Sequence, residues 1–156
     1  MFVALLMVGC GEKTHYSPPL TEEEVKIIAE AIDFDTLQER GKEGEEVRYA
    51  PNEQTTYTGW AKAMHDNGQI RGVLQMKDGK RDGLATGWYE NGQKEREMNV
   101  KDGDPDGPWT EWYENGQKEG EGNWKDGKKD GLWIAWYENG QKSWEGTYKD
   151  GELVRD

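Results

Sequence analysis

Two histidines (His15 and His65), one cysteine (Cys10) and a set of regularly spaced carboxylates are the side chains with which this 156-residue chain could do chemistry. Nucleophilic catalysis needs a Ser or Cys beside a His that a carboxylate orients; neither histidine has such neighbours in a recognisable pattern. A zinc site needs several His, Cys or carboxylate ligands at short spacing. His65 lacks such companions and is expected on an ordinary exposed strand. Glu90, Glu114 and Glu138 stand 24 residues apart, each beside a turn. If they lie two strands apart, roughly 9–10 Å separates them, the wide limit for an inverting glycosidase pair. Repetition at identical positions assigns them instead to turn solvation or cross-strand pairing. Asp102, Asp104 and Asp106, followed by Gly107, have the opening spacing of a calcium-binding loop. The bidentate Glu that should close it is replaced by Tyr113, and sister turns carry Lys80 and Lys128 in place of Asp104. The trio is a weak calcium candidate and reads more simply as a repeat turn that drifted acidic. No catalytic residue, metal or cofactor is expected, and the chain is read as a non-enzyme.

The composition says what could position any site. Hydrophobic residues make up 33%, against roughly 45–50% apolar usage, glycine included, in ordinary domains. There are eight Trp and seven Tyr but only two Phe, and glycine reaches 21. A two-layer core of Leu, Ile and Val cannot be built from this. Disorder is disfavoured because disordered segments are poor in aromatics, whereas here they recur at fixed spacing. One buried Trp or Tyr removes about 150–250 Å² from water, so a thin protein stapled by aromatics is feasible. The formal net charge of −12 argues against nucleic acid as a partner and against electrostatic docking on anionic lipid.

Asn-Gly-Gln recurs at Asn67, Asn91, Asn115 and Asn139, and Lys-Asp-Gly at Lys77, Lys101, Lys125 and Lys149, always 24 residues apart. Four units follow, at 53–76, 77–100, 101–124 and 125–148, with a partial unit at 149–156. Asn-Gly is a strong hairpin signal, expected as a type I′ turn with positive φ at both central residues. Lys-Asp-Gly-x-x-Asp-Gly is expected to supply the second, longer reversal. Segments of about seven residues between these turns have strand length and strand composition. The expected fold is all-β: a single-layer antiparallel meander of tandem β-hairpins over 34–156, with one short N-terminal helix over 21–33. Thr21 and Glu24 form the helix's capping box, and Val25, Ile28, Ala29 and Ile32 share its apolar face. That stripe is expected to cover one end or face of the sheet, near Met64, Ile70, Val73, Leu74 and Met76. Trp88, Trp112 and Trp136 are expected as a column on one face, and Tyr89, Tyr113 and Tyr137 as a column on the other. Both are candidate binding or structural aromatics. Two registers stay open: a two-residue loop pairs Glu90 with Gln93, and a three-residue loop with a G1 bulge pairs Tyr89 with Gln93.

Gly122-x-Trp124-x-x-Gly127-Lys128-x-Asp130-Gly131 and Trp144-x-Gly146-x-Tyr148-x-x-Gly151 resemble the MORN repeat pattern. The 24-residue period and Trp-Tyr-Glu-Asn-Gly-Gln-Lys at 88–94, 112–118 and 136–142 are similar to the bacterial variant MORN family labelled antitoxin-like, of the YwqK type. The resemblance covers about residues 37–156. It implies a hairpin sheet used for binding or assembly, without catalytic residues.

Residues 1–10 form an apolar run too short to span a bilayer and read as the end of a secretory signal. Met7-Val8-Gly9-Cys10 resembles a bacterial lipobox, which implies lipidation at Cys10. Residues 11–20, with Pro18-Pro19, then form a polar tether. The expected location is the cell envelope, with the membrane reached only through the lipid; without lipidation it is the cytoplasm. The expected partner is another protein, with a cell-wall glycan stacked on the aromatics as the alternative. Expressed behind a restored full-length signal, the chain is expected to label with fatty acid and fractionate with membranes. Cys10→Ala should abolish both; unchanged labelling in that variant would remove the assignment.

Overall fold

The computed structural model describes residues 20–42 and 45–154. The signal remnant, Cys10, His15 and the tether up to residue 19 lie outside the described residues. Within them the 24-residue period becomes a run of strands: β4 (Gly59–Met64), β5 (Ile70–Lys77), β6 (Lys80–Trp88), β7 (Lys94–Lys101), β8 (Asp104–Trp112) and β9 (Lys118–Lys125). They continue through β10 (Lys128–Lys129), β11 (Gly131–Trp136), β12 (Lys142–Lys149) and β13 (Glu152–Leu153). They pair antiparallel in chain order in one open sheet, except that β10 pairs only with β9, which also pairs with β11. A single parallel contact departs from a pure meander: β1 (Ile32–Asp33) adds to the outer side of β4, pairing Ile32 with Ala61. A separate hairpin joins β2 (Gln38–Arg40) to β3 (Val47–Tyr49).

The type I′ turn expected at Asn-Gly falls at Asp-Gly instead, and Asn-Gly takes the second of the two registers left open. At the Asp-Gly corners both residues have positive φ, 50° at Asp78 and 79° at Gly79, between paired Lys77 and Lys80. These are the two-residue hairpins whose twist matches the strands. At the Asn-Gly corners only the glycine is left-handed, with φ 81° at Gly92. Tyr89 donates its amide to the Gln93 carbonyl at 2.9 Å, and the ladder shifts register between Gly87 and Trp88. That is the three-residue loop with a bulge. The Asn91 side chain explains the choice, because its Oδ1 accepts the Gln93 amide at 2.9 Å and stabilises Asn91 at negative φ. The second Asp-Gly lies inside a strand at Asp82-Gly83 and Asp106-Gly107, where Gly83 has φ 115° beside another register shift, and at Asp130-Gly131 it falls at the break between β10 and β11.

These registers decide which side chains share a face. Lys62, Val73 and Thr86 align across β4, β5 and β6 on one face, and Trp88 aligns with Lys94 there. Ala61, Leu74, Ala85, Met98, Trp109 and Gly122 align on the other. The helix α1 (Glu22–Glu30) lies on the Trp88 face, where Lys62 Nζ donates to the Ile28 carbonyl at 2.9 Å. The capping box is present, and it turns Glu24 toward the sheet to meet Lys94 at 3.2 Å. The inward stripe is therefore Glu24, Ile27, Ile28 and Ala31, while Val25 is 53% exposed. The expected stripe of Val25, Ile28, Ala29 and Ile32 is corrected accordingly; the helix ends at Glu30, and Ile32 belongs to β1. Across the sheet, Leu37, Ala61 and Met76 form a buried cluster with Ile32, Phe34, Tyr57 and Leu74. Strands near β4 are thus covered on both faces, and those from β8 onward have no such cover among the described residues.

Toward that end the sheet supports itself with indoles. Trp109 and Trp133 lie 5.0 Å apart, Trp124 stands edge-on to Trp133 at 5.4 Å, and Tyr148 approaches Trp133 at 6.2 Å. Such pairs contribute about 0.5–1.5 kcal/mol beyond their area. Glycine makes the room. A Cβ on Gly122 would sit 2.3 Å from the Trp133 ring, so Gly122→Ala is expected to lower stability by about 1–3 kcal/mol through overpacking. Urea unfolding followed by near-UV circular dichroism checks it; an unchanged midpoint would mean the rings do not lie over that glycine.

Candidate binding surface

Each repeat is laced to the next at both edges of the sheet. At the Asn-Gly edge the Tyr89 hydroxyl donates to the Trp112 carbonyl at 2.8 Å, and Tyr113 donates to the Trp136 carbonyl at the same distance. Asn91 Nδ2 donates to the Glu114 carbonyl and Asn115 Nδ2 to the Glu138 carbonyl. His65 takes the tyrosine's place in the first unit: its Nε2 lies 2.8 Å from the Trp88 carbonyl. It is half-buried rather than an ordinary exposed strand residue, and the 24-residue offset to Tyr89 was the signal that could have revealed this. At the other edge the Asp102 amide donates to Asp82 and the Asp126 amide to Asp106, with Thr58 accepting from Asp78 in the first unit.

These bonds relocate several candidates. Tyr89 and Tyr113 reach sideways into the next unit instead of lining a column on the far face. Burial raises the Tyr89 hydroxyl above its ordinary value, and the nearby Glu95, Glu119, Glu111 and Glu114 add to it. Tyr137 is 58% exposed, and β13, the last described strand, stops short of the position equivalent to Trp112 and Trp136 that would offer a carbonyl. Glu90, Glu114 and Glu138 are exposed at the corners. Asp102, Asp104 and Asp106 line a shallow depression with Lys101 and Asp126, where Asp106 already accepts a backbone amide. Among the described residues no group of three or more His, Cys, Asp or Glu is arranged to hold a metal ion.

Trp88, Trp112 and Trp136 share the α1 face but differ in cover. Trp88 is 2% exposed, whereas Trp112 and Trp136 are half-buried. A groove lined by Leu20, Thr21, Glu24, Trp88, Lys94 and Trp112 runs along the amino-terminal end of the helix. Beyond it the pattern repeats: Lys118 pairs with Glu121 and lies 5.9 Å from the Trp136 ring, and Lys142 pairs with Glu145 at 2.5 Å. Leu132 is 54% exposed. The far face is filled from within, because Lys129 Nζ sits 4.1 Å from the Trp133 ring and 5.2 Å from Tyr148. Among the described residues, the half of the α1 face past the helix is therefore left without cover.

Residues 81–102, 105–126 and 129–150 match the family model described as MORN repeat variant. No curated protein and no solved structure matches the chain.

Removing one lace should matter only where an acceptor exists. Tyr89→Phe is expected to lower stability by about 1 kcal/mol and Tyr137→Phe to leave the urea midpoint unchanged; equal effects would show that the hydroxyls do not bridge units. Helix docking should depend on pH. Burial raises the Glu24 carboxyl, but hydrogen bonds from Thr21 and Lys94 outweigh it and hold the group below its ordinary value. A carboxyl depressed on folding stabilises above its unfolded value and loses that contribution as pH falls through the folded one. Acidification should therefore undock α1 and raise acrylamide quenching of Trp88, and Glu24→Gln should remove that acid step.

Proposed function

We propose, on the premise that this is a MORN-repeat protein, that it is a non-catalytic protein-binding module held at the bacterial cell envelope by a lipid on Cys10. MORN repeats are generally protein- or membrane-binding modules. The observation that carries the reading is the asymmetry of one sheet face: α1 occupies it over Trp88, while Trp112, Leu132 and Trp136 remain open among paired lysines and glutamates. Half-buried indoles ringed by polar groups make a binding surface rather than a second core. No described helix is long and apolar enough to cross a membrane, so in this reading membrane attachment rests on the lipidated cysteine. The antitoxin-like resemblance supplies one version of the partner, a toxin polypeptide. Lipid anchoring favours an envelope protein over a cytoplasmic one.

A second reading, a cell-wall glycan stacked on Trp112 and Trp136, is favoured by their placement on one open face at roughly 9–10 Å spacing. A photo-reactive residue replacing Thr110 in membrane-anchored protein separates the two. The binding-module reading expects one reproducible protein adduct that disappears in Trp112→Ala/Trp136→Ala. Absence of any protein adduct, together with fluorescence quenching by millimolar peptidoglycan fragments, would replace it with the glycan reading.

A further inference from the structure

We infer that the open half of the α1 face takes an amphipathic helix from a partner protein, entering with an acidic first turn over Trp136 and Lys142. This rests on the protein-binding reading and names the chemistry of the partner. The sheet already binds one such helix in cis. The first turn of α1 carries Glu22, Glu23 and Glu24. Glu24 reaches Lys94, which also holds Glu97 at 2.9 Å. The helix's far end receives Lys62, and Trp88 lies under cover between them. No residue of α1 itself is buried, so recognition runs through these few contacts rather than through a deep apolar seam.

The 24-residue period copies this constellation. Trp88, Lys94 and Glu97 recur two units on as Trp136, Lys142 and Glu145, with Lys142 again bonded to its glutamate. Thr86 beneath the first site becomes Ile134, and Lys62 becomes Thr110. Geometry selects two units rather than one. Four strand spacings of about 4.8 Å give ~19 Å, whereas a nine-residue helix is ~13.5 Å long. A second helix placed two units on clears α1, and one placed a single unit on would overlap it. The groove from Leu20 ends at Trp112 and Gly116, on the side of α1 toward the second site. Lys142, already shared with one carboxylate as Lys94 is, supplies the charge complementarity for the incoming acidic turn. The copy departs from the original at Val73, which becomes Glu121; Lys118 neutralises that carboxylate from within the sheet.

The probe is a helix-stapled peptide of residues 20–31, titrated into the whole chain while the indole N–H resonances of Trp88, Trp112 and Trp136 are followed. The expected result is saturable movement of the Trp136 resonance with Trp88 unmoved. Lys142→Glu should weaken binding about fivefold, and a peptide with Glu24→Lys should restore binding to that variant. Several results would overturn the inference. They are no movement of Trp136 at millimolar peptide, movement of Trp88 alone, as α1 is displaced, indifference to the charge swap, and a Trp136 resonance that moves with protein concentration before peptide is added. The last would mean a second copy fills the face. A Trp136 signal that changes when residues 1–19 are removed would equally assign the face to the chain's own leading segment.

Discussion

A sheet this thin depends on hydrogen bonds that leave one repeat and end on the backbone of the next. The antiparallel ladders hold strands together within a unit and also across unit boundaries, where β5 meets β6, β7 meets β8 and β9 meets β11. Among the described residues no helix covers β8 to β12, and side-chain laces reinforce the joints between units at both edges. Tyr89, Tyr113 and the histidine that replaces them in the first unit each reach a carbonyl one period ahead. On the opposite edge Asp82 and Asp106 accept amides from the following Asp-Gly corners. Because each set of laces recurs at a constant offset from unit to unit, the period cannot drift by one residue without breaking both sets. A buried carbonyl or amide left without its partner costs about 1–3 kcal/mol, a large share of the stability of a small repeat array.

That constraint also distributes the surfaces. Since the laces lie at the corners, the two faces are free to differ. One is filled by its own rings, Trp109, Trp124, Trp133 and Tyr148, lying over glycines with Lys129 closing the stack. The other keeps its indoles spaced and relies on α1 for cover at one end only. Function follows from this difference. A face that has already accepted a helix with an acidic first turn, and that repeats the same lysine and tryptophan further along, is prepared for a second occupant of similar character.

The repeat, its length and the all-β architecture were legible from Asn-Gly-Gln and Lys-Asp-Gly alone, because turn residues at a fixed period leave few alternatives. Turn type was not legible. Asn and Asp both tolerate left-handed backbone, and only the Asn91 side-chain bond to Gln93 shows which corner adopts it. The consequence spread outward, since the bulge at that corner sets the face of every following residue. Trp88, Trp112 and Trp136 were correctly grouped on one face. The ring stack around Trp133 went unforeseen, because it needs Gly122 and Gly146 opposite the indoles and hence the final register. The helix stripe was misplaced by one position because the capping box was read as local, whereas Glu24 also faces Lys94 across the sheet.

Amide hydrogen exchange tests the lacing most directly. The account predicts that β6 to β11 exchange as one protected block, that the Asp102 and Asp126 amides are slow although they sit at exposed corners, and that opening begins at β12 and β13. Corner amides exchanging at free-loop rates, with each hairpin opening independently of its neighbours, would contradict it.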